Sequence, residues 1–321
     1  MTFKTFAAAV LAAGAVAASA GAAAAQTSLT VMVFQGMQNL PLFAAQSKGF
    51  FDKRGLKVDI KIAPNSDELR NGLADGRFQI VHSAADNAVA MVAMAKIDTA
   101  LVIGGDNGLN HLFVQPDVKA LADIRGKAVA VDASNTAYAF QLYEMLRLAG
   151  LNKGDYDIKI VGATFKRLDA LEKDKAMMAS MLNPPFSIRA QKAGLKDMGE
   201  AVKTLGPYQA TAGFVLRSWA KEHGDVLVKY LTAYLQGQRW ALDPKNKAAA
   251  IKLYVDGLKL PEDVAAACYE QAMTGLAKDA AFDMEGFKNV LALRARHTGA
   301  ATLAPEKYVD LSFYQKALAG L

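Results

Sequence analysis

Short apolar runs alternate with amphipathic segments along the chain, and polar loops separate them. Residues 31–34 form an apolar run with β-branched side chains, which is typical of a strand buried between helices. After a polar loop, Pro41 suits the first turn of a helix that Asn39 is placed to cap, and Gly49 suits its end. Apolar and polar residues then alternate over 56–60, which predicts a second strand.

The same succession of strands and helices continues to about residue 216. Further strands are predicted at residues 78–81, 100–103, 111–114, 127–131, 158–161, 177–182 and 213–216, and helices at 66–73, 85–96, 138–149 and 165–173. Asn65 is placed to cap the first of these helices, with Glu68 completing a capping box. From Trp219 onward the pattern is almost wholly helical, with breaks at prolines. Strands that alternate with helices predict an α/β fold.

Nearly every polar loop in this pattern follows the carboxyl end of a predicted strand, which is where open α/β sheets bind ligands. The candidate ligand-binding residues in these loops are Gln35, Gln38, Asn39, Ser83, Asp86, Asn107, Ser134, Asn135, Thr136, Tyr138, Asn183, Phe186 and Tyr208. The helix starts at Pro41 and after Ser134 present backbone amides suited to a carboxylate or sulfonate. Phe34, Phe186 and Tyr208 are expected to supply apolar walls.

Several candidates also have a purely structural interpretation. Asn39, Ser134 and Asn135 suit helix caps as well as ligand contacts. Asp86 suits a position beside a helix N-terminus, and if it faced the ligand it would favour an amine over a simple anion.

The segment 183–186 (NPPF) is the most informative stretch of the second half, because a double proline after a buried strand fixes the directions of Asn183 and Phe186. Asn183→Ala and Phe186→Ala are therefore expected to weaken ligand binding without unfolding the protein.

Residues 1–25 have the three parts of a secretory signal peptide. Lys4 supplies the positive start, residues 6–25 are uncharged and rich in alanine, and Ala23-Ala24-Ala25 before Gln26 fits a cleavage site. A membrane anchor is the alternative, but the run has few large apolar residues and no nearby cysteine that could carry a lipid. A cleaved signal peptide predicts an exported protein, and no other stretch is long and apolar enough to span a bilayer.

Charge and composition exclude some classes of function. With 52% hydrophobic and 21% charged residues the chain is globular, and its net charge of +6 comes from scattered basic residues. Pairs such as Lys53-Arg54 and Lys166-Arg167 are interpreted as solvated surface, so no nucleic-acid partner is expected. Cys268 stands alone in a helical segment and is expected to be a packing residue. No catalytic motif or metal-binding motif is present, so no catalytic residue, metal or cofactor is predicted.

The segment 41–51 (PLFAAQSKGFF), followed by 55–58 (GLKV), resembles the periplasmic solute-binding proteins of ABC importers, in the branch that includes sulfonate, nitrate and thiamine-precursor binders. Residues 73–76 (LADG) and 121–127 (LADIRGK) fit two further landmarks of that family in the expected order. Gln79 departs from the pattern, because the family usually places an aspartate there. We interpret this departure as a local change that leaves the fold intact.

The resemblance implies a two-lobed periplasmic-binding-protein fold of type II, in which each lobe is a mainly parallel sheet flanked by helices. It implies a first lobe built from residues 26–108 and 209–321, the latter with a helical C-terminal tail, and a second lobe at 109–208, with crossings near 106–112 and 205–211. Such a protein captures a small molecule by hinge closure and delivers it to an ABC permease in the inner membrane. A periplasmic monomer without enzymatic activity is expected.

Two other functions stay open. Pyrimidine-precursor synthases share the fold, but they need a cysteine-rich iron-binding segment, and this chain has one cysteine. A module that reports ligand to a membrane sensor is the other alternative. The loops are rich in Gln, Asn and Ser, which favours a polar organic ligand such as a sulfonate, an aromatic carboxylate or a pyrimidine-like molecule over nitrate.

Overall fold

The computed structural model describes residues 26–321, and the predicted signal peptide at 1–25 lies outside them. Ten strands in the described part form two five-stranded sheets. The strands are β1 (Thr27–Val33), β2 (Leu56–Ile62), β3 (Ile80–Ala84), β4 (Thr99–Ile103), β5 (His111–Val114), β6 (Ala128–Val131), β7 (Asp157–Ile160), β8 (Met177–Leu182), β9 (Lys196–Glu200) and β10 (Thr211–Leu216).

Helices cover both sheets. In the described part they are α1 (Leu40–Ser47), α2 (Ser66–Ala74), α3 (Asp86–Ala95), α4 (Ala137–Leu148), α5 (Thr164–Lys173), α6 (Phe186–Lys192), α7 (Ala201–Leu205), α8 (Arg217–Glu222), α9 (Gly224–Leu242), α10 (Lys247–Leu258), α11 (Glu262–Gly275), α12 (Met284–Thr298) and α13 (Ser312–Ala319). We refer to the first sheet with its helices as lobe 1 and to the second as lobe 2.

The two sheets have the same plan. The strand order is β2-β1-β3-β10-β4 in lobe 1 and β7-β6-β8-β5-β9 in lobe 2. In each sheet one strand, β10 or β5, runs antiparallel to both of its neighbours, and the other four strands run in a common direction. The predicted fold class, two α/β lobes with mainly parallel sheets, is confirmed.

The central strand β1 shows why the strands are continuous apolar runs. Val31 and Val33 face a core that also contains Leu42 and Leu231, whereas Met32 faces the core on the opposite side of the sheet. Both faces are therefore covered, as parallel sheets require. Helix α9 lies close to α1 because of Gly237, where a Cβ would be 2.3 Å from the Pro41 carbonyl oxygen.

The chain passes between the sheets twice, at residues 104–110 and 206–210. The two passages lie side by side, since Ala210 donates its backbone N–H to the carbonyl oxygen of Asp106 at 3.2 Å. This arrangement leaves a cleft between the sheets with their carboxyl-terminal strand ends on either side.

Several local predictions need correction. Strand β3 begins and ends later than predicted, so His82 and Ser83 lie inside it. Elements β9, α6 and α7 were not predicted between residues 186 and 205, because their sequences lack a regular apolar period. The prediction for Cys268 is confirmed, since it is buried in α11. Gln79 leaves the sheet intact, with its side-chain oxygen accepting the backbone N–H of Thr30 at 2.9 Å.

Candidate ligand-binding cleft

A cavity that is partly open to solvent lies between the two lobes at the carboxyl ends of their strands. The lining residues of lobe 1 are Phe34, Gln38, Ser66, Ser83, Ala84, Asn87, Ala210 and Thr211. Those of lobe 2 are Asp132, Thr136, Ala137, Tyr138, Ala163, Thr164, Arg167 and Asn183. This cavity lies at the sheet edge where the sequence predicts a ligand site.

The lobes contact each other around the cavity. Ser66 of lobe 1 donates its hydroxyl hydrogen to Asp132 of lobe 2 at 2.9 Å, and both side chains are buried. The backbone N–H of Met37 donates to the Pro184 carbonyl oxygen at 3.0 Å, and that of Ala163 donates to the Pro64 carbonyl oxygen at 3.3 Å. These bonds hold the lobes in a closed arrangement.

Arg167 on α5 is the cation of the cavity, and only 2% of its surface is exposed. Its Nε donates to Ser180 at 3.1 Å, its Nη1 to the Gly162 carbonyl oxygen at 2.7 Å, and its Nη2 to Thr164 at 3.1 Å and the Met181 carbonyl oxygen at 3.0 Å. All these acceptors belong to lobe 2. The guanidinium is therefore fixed in place whether or not lobe 1 is closed over it.

The charge of Arg167 has no direct partner among residues 26–321, since no carboxylate forms a salt bridge with it. A guanidinium has five N–H donors, so its four hydrogen bonds leave one N–H on Nη1 free. Burial lowers the pKa of Arg167, with the charge of Asp132 opposing that effect, but an arginine in a protein stays protonated. A buried cation of this kind calls for an anionic partner.

Two helix starts in lobe 2 add to the positive character of the cavity. Ala137 and Tyr138 at the start of α4, and Thr164 at the start of α5, line it. The first backbone amides of a helix have no partner within that helix, and they carry the positive end of its dipole. Together with Arg167 they form a region suited to a carboxylate or sulfonate.

Asp132 follows β6 and is the carboxylate of the cavity. Its Oδ1 accepts the hydroxyl hydrogen of Thr136 at 2.5 Å, and its Oδ2 accepts that of Ser66. A carboxylate has about four acceptor positions, so capacity remains for a donor in the cavity. Asp132 is 7% exposed and forms no salt bridge among the described residues.

Two buried amide oxygens in the lining also lack donors. Asn183 donates from Nδ2 to the Pro184 carbonyl oxygen at 3.2 Å, and its Oδ1 has no partner. The Oδ1 of Asn87 is likewise without a partner, while its Nδ2 donates to Ser83 at 3.3 Å. Buried acceptors without donors are costly, so the cavity is suited to a molecule that brings N–H groups.

The aromatic walls of the cavity are Phe34 and Tyr138. The Arg167 guanidinium carbon lies 5.3 Å from the centre of the Tyr138 ring, within the range of a cation–π contact. Burial raises the pKa of the Tyr138 hydroxyl, so this group stays protonated at neutral pH.

Five of the predicted site residues line the cavity. These are Gln38, Ser83, Thr136, Tyr138 and Asn183. They come from both lobes, and Gln38 and Asn183 face each other with 3.4 Å between Oε1 and Nδ2. The other eight do not line it.

Three of those eight are engaged with lobe 1 groups. Asn39 is buried and donates from Nδ2 to the Phe34 carbonyl oxygen at 2.8 Å instead of capping α1. Asp86 accepts two hydrogen bonds from Nη1 of Arg294, at 3.0 and 2.9 Å, in the protein interior. Asn135 accepts a hydrogen bond from Arg70 at 3.4 Å. Their hydrogen bonds are made within the protein, although the Oδ1 of Asn39 has no donor among the described residues.

The remaining five lie elsewhere. Gln35 is half-buried, and Asn107 and Ser134 are exposed. Phe186 is 2% exposed and packs in the core of lobe 2, while Tyr208 lines a different groove. Phe186 turns inward because it begins α6, whose buried face continues the sheet core.

The sequence interpretation missed the charged residues of the site. Arg167 was interpreted as solvated surface, but it is buried on the same face of α5 as Thr164, Leu168 and Leu171. This spacing of three and four residues marks one helix face, and it was the signal that could have identified Arg167. Asp132 directly follows an apolar strand, so the rule that selected the other loop residues at strand ends could have selected it too.

No group of three or more His, Cys, Asp or Glu side chains in residues 26–321 is arranged to hold a metal ion. No helix in the same range is long and apolar enough to cross a membrane.

The two lobes and the cavity between their strand ends define the class of the protein as one with the periplasmic-binding-protein fold. A family model described as NMT1/THI5 like matches residues 37–248, more than half of the chain. The protein belongs to the NMT1/THI5-like family.

Individual relatives are more distant. A protein of Brachyspira hyodysenteriae, named as an ABC transporter periplasmic binding protein, is 22% identical over 228 residues, which cover 65% of this chain and 64% of that protein. This chain thus spans less than two thirds of that relative's length.

Solved structures share the fold over most of their length. The alkanesulfonate-binding protein SsuA from Xanthomonas axonopodis pv. citri, bound to MOPS, has a TM-score of 0.72 at 15% identity, over 92% of this chain and 99% of that one. The nitrate-binding protein NrtA from Synechocystis has a TM-score of 0.76 at 13% identity, over 92% of this chain and 89% of that one. At these identities the likeness is one of fold.

Proposed function

We propose that this protein is the substrate-binding component of an ABC importer, which captures a small polar organic molecule in the periplasm and delivers it to the permease in the inner membrane. The observation that carries the proposal is that polar groups of both lobes enclose one cavity and bond to each other across it. The buried hydrogen bond from Ser66 to Asp132 is the strongest of these contacts. Solved binding proteins for alkanesulfonate and for nitrate that share this fold also support it.

Hinge closure is the mechanism we propose. Residues 26–108 and 209–321 move as one lobe and residues 109–208 as the other, about the two passages that touch at Asp106 and Ala210. A ligand that contacts both lobes binds the closed form more tightly than the open form, and it therefore shifts the population toward closure. The permease then recognises the closed form.

The alternative of a pyrimidine-precursor synthase receives no support from the only cysteine. Cys268 is buried in α11, and burial raises the pKa of its thiol to about 12. A reactive or iron-binding cysteine needs an accessible thiolate, which this environment disfavours. We therefore propose a binding role without enzymatic activity.

A thermal-shift panel tests the proposal on protein exported to and purified from the periplasm of a bacterial host. The panel contains sulfonates, aromatic acids, pyrimidines, amines and nitrate. A ligand at 100 times its Kd adds about 2.7 kcal/mol to the free energy of unfolding, which gives a clear shift. Absence of any shift, together with no small molecule released on denaturation, would contradict a solute-binding role.

A transport assay separates the importer from the sensor alternative. Ligand-loaded protein is expected to stimulate ATP hydrolysis by an ABC permease of the same organism, reconstituted in vesicles. Ligand binding without stimulation of any such permease would favour a module that reports to a membrane sensor.

A further inference from the structure

The cavity has two charged poles, Arg167 and Asp132, that form no salt bridge with each other. Asp132 and Arg167 both line it, and no nitrogen of the guanidinium lies within the 4.0 Å of a carboxylate oxygen that defines a salt bridge. Both side chains are held by other groups of lobe 2, so neither is free to swing toward the other. A buried cation and a buried anion are thus kept apart in one enclosed space.

The pole at Arg167 is made of donors. One Nη1 hydrogen of Arg167 has no acceptor among the described residues, and the first residues of α4 and α5 line the same cavity. An acidic group placed here gains charge-assisted hydrogen bonds in surroundings that exclude much of the water.

The other pole is made of acceptors. Asp132 keeps free lone pairs, and the side-chain oxygens of Asn183 and Asn87 have no donors although both residues are at least nine-tenths buried. A protonated amine, with up to three N–H donors, satisfies this set and compensates the charge of Asp132.

A simple anion fits such a cavity poorly. It would satisfy Arg167 but would lie in the same enclosed space as the Asp132 carboxylate, and like charges in low-dielectric surroundings repel. It would also leave the amide oxygens without donors, which is costly when they are buried. A simple amine would satisfy Asp132, but its positive charge would be repelled by Arg167.

We propose that the ligand is a zwitterion that carries both an acidic group and a protonated amine, with the acid at Arg167 and the amine at Asp132 and Asn183. This inference rests on the proposed solute-binding function and specifies its substrate class. Asp132 is then the residue that determines specificity for the amine, and Phe34 and Tyr138 contact the part of the ligand between the two groups.

Matched ligand pairs test this inference by isothermal titration on the full exported protein. Each pair has the same acid with and without an amine: β-alanine and propionate, 2-aminoethanesulfonate and ethanesulfonate, 4-(aminomethyl)benzoate and 4-methylbenzoate. In at least one pair, the wild-type protein is expected to bind the zwitterion about tenfold or more tightly than its amine-free partner.

The Asp132→Asn variant removes one charge and keeps the shape of the side chain. It is expected to abolish the preference for the zwitterion and to strengthen binding of the amine-free acid. The matched control is Asp157→Asn, which removes the same charge from an exposed site on the edge strand β7 and is expected to leave the preference unchanged.

The outcomes distinguish this inference from the proposed function. If amine-free acids bind as tightly as zwitterions, or if Asp132→Asn has no effect on the preference, the zwitterion assignment is overturned while a solute-binding role stands. If no panel compound binds, mass spectrometry of the molecule released from denatured protein decides: a molecule with both groups supports the assignment, and one lacking either group overturns it. No binding and no released molecule would overturn the proposed function and this inference with it.

Discussion

The two sides of the cleft differ in the kind of group they present. Lobe 1 contributes amides and hydroxyls, namely those of Gln38, Ser66, Ser83 and Asn87, with no charged side chain among the lining residues described. Lobe 2 contributes the charged pair Asp132 and Arg167 and two helix starts. We infer that lobe 2 selects the ligand by charge and that lobe 1 completes the site when it closes.

The two lobes also differ in how firmly their polar lining side chains are held in place. All four hydrogen bonds of Arg167 come from lobe 2, and Asp132 is oriented by Thr136 of the same lobe. Ser66 of lobe 1 reaches Asp132 only across the cleft. A preorganised charged half and a neutral closing half give ligand-dependent closure, since little reorganisation is needed where the charges meet.

The largest expected effect is on stability, and it distinguishes a core residue of lobe 2, Phe186, from a cavity residue, Asn183. Phe186→Ala is expected to lower the free energy of unfolding by about 3–5 kcal/mol, because it empties a buried ring position. Ligand affinity of the folded protein should change little. Denaturant titration and calorimetry measure the two quantities. Asn183→Ala, three residues earlier, should show the reverse pattern, and weakened binding in a fully stable Phe186→Ala protein would place its ring in the site after all.

The next largest effect is expected from removing the positive charge of Arg167. Arg167→Met is expected to weaken binding of an acidic ligand by about 100-fold or more, as expected for a buried charged partner. Titration calorimetry on the folded variant measures the change. Lys166→Met is the control, because Lys166 is the exposed neighbour on the same helix. Equal, small losses in both variants would assign the ligand's acid to another group.

Acidification is expected to affect lobe 1 through its buried histidine. His82 lies in β3, stacks on Tyr234 at 4.8 Å and contacts the Tyr230 hydroxyl at 2.9 Å. Burial lowers its pKa from 6.5 to about 3. Between these values the unfolded chain binds a proton that the folded chain does not, so stability falls as the pH falls.

The expected loss from His82 is about 1.4 kcal/mol per pH unit below 6.5. Denaturant titrations at pH 7 and pH 4.5 of the wild type and His82→Gln measure it as a difference between the two pH dependences. His223→Gln, at a half-buried position outside the sheet, is the control. A pH dependence that His82→Gln leaves unchanged would mean that this histidine is not the source.

The smallest effect concerns closure by lobe 1. Ser66→Ala removes one hydrogen bond to a carboxylate across the cleft and is expected to weaken ligand binding about tenfold, near the lower end of the range for a hydrogen bond to a charged group. Ser28→Ala on β1, at an exposed position, is the control. Affinity unchanged by Ser66→Ala would mean that this contact does not contribute to the closed state.

The alternation of apolar runs and polar loops was enough to predict an α/β fold and the sheet edge where the cavity lies, and the resemblance to solute-binding proteins implied the two lobes. Local patterns could not show which loop residues face inward. Asp86 pairs with Arg294, which lies far along the chain, and Arg167 is held by one carbonyl and one hydroxyl of β8, which reach it only in the folded sheet. Long-range pairings of this kind decide whether a polar residue faces a ligand or another part of the protein.

A crystal structure of the protein with its bound ligand tests the division of roles between the lobes most directly. We expect the ligand's acidic group within hydrogen-bonding distance of Nη1 of Arg167, its amine beside Asp132, and Ser66 in contact with Asp132 from the other lobe. A ligand bound in the cleft without contact to either charged residue, or bound outside the cleft, would contradict the role assigned to lobe 2.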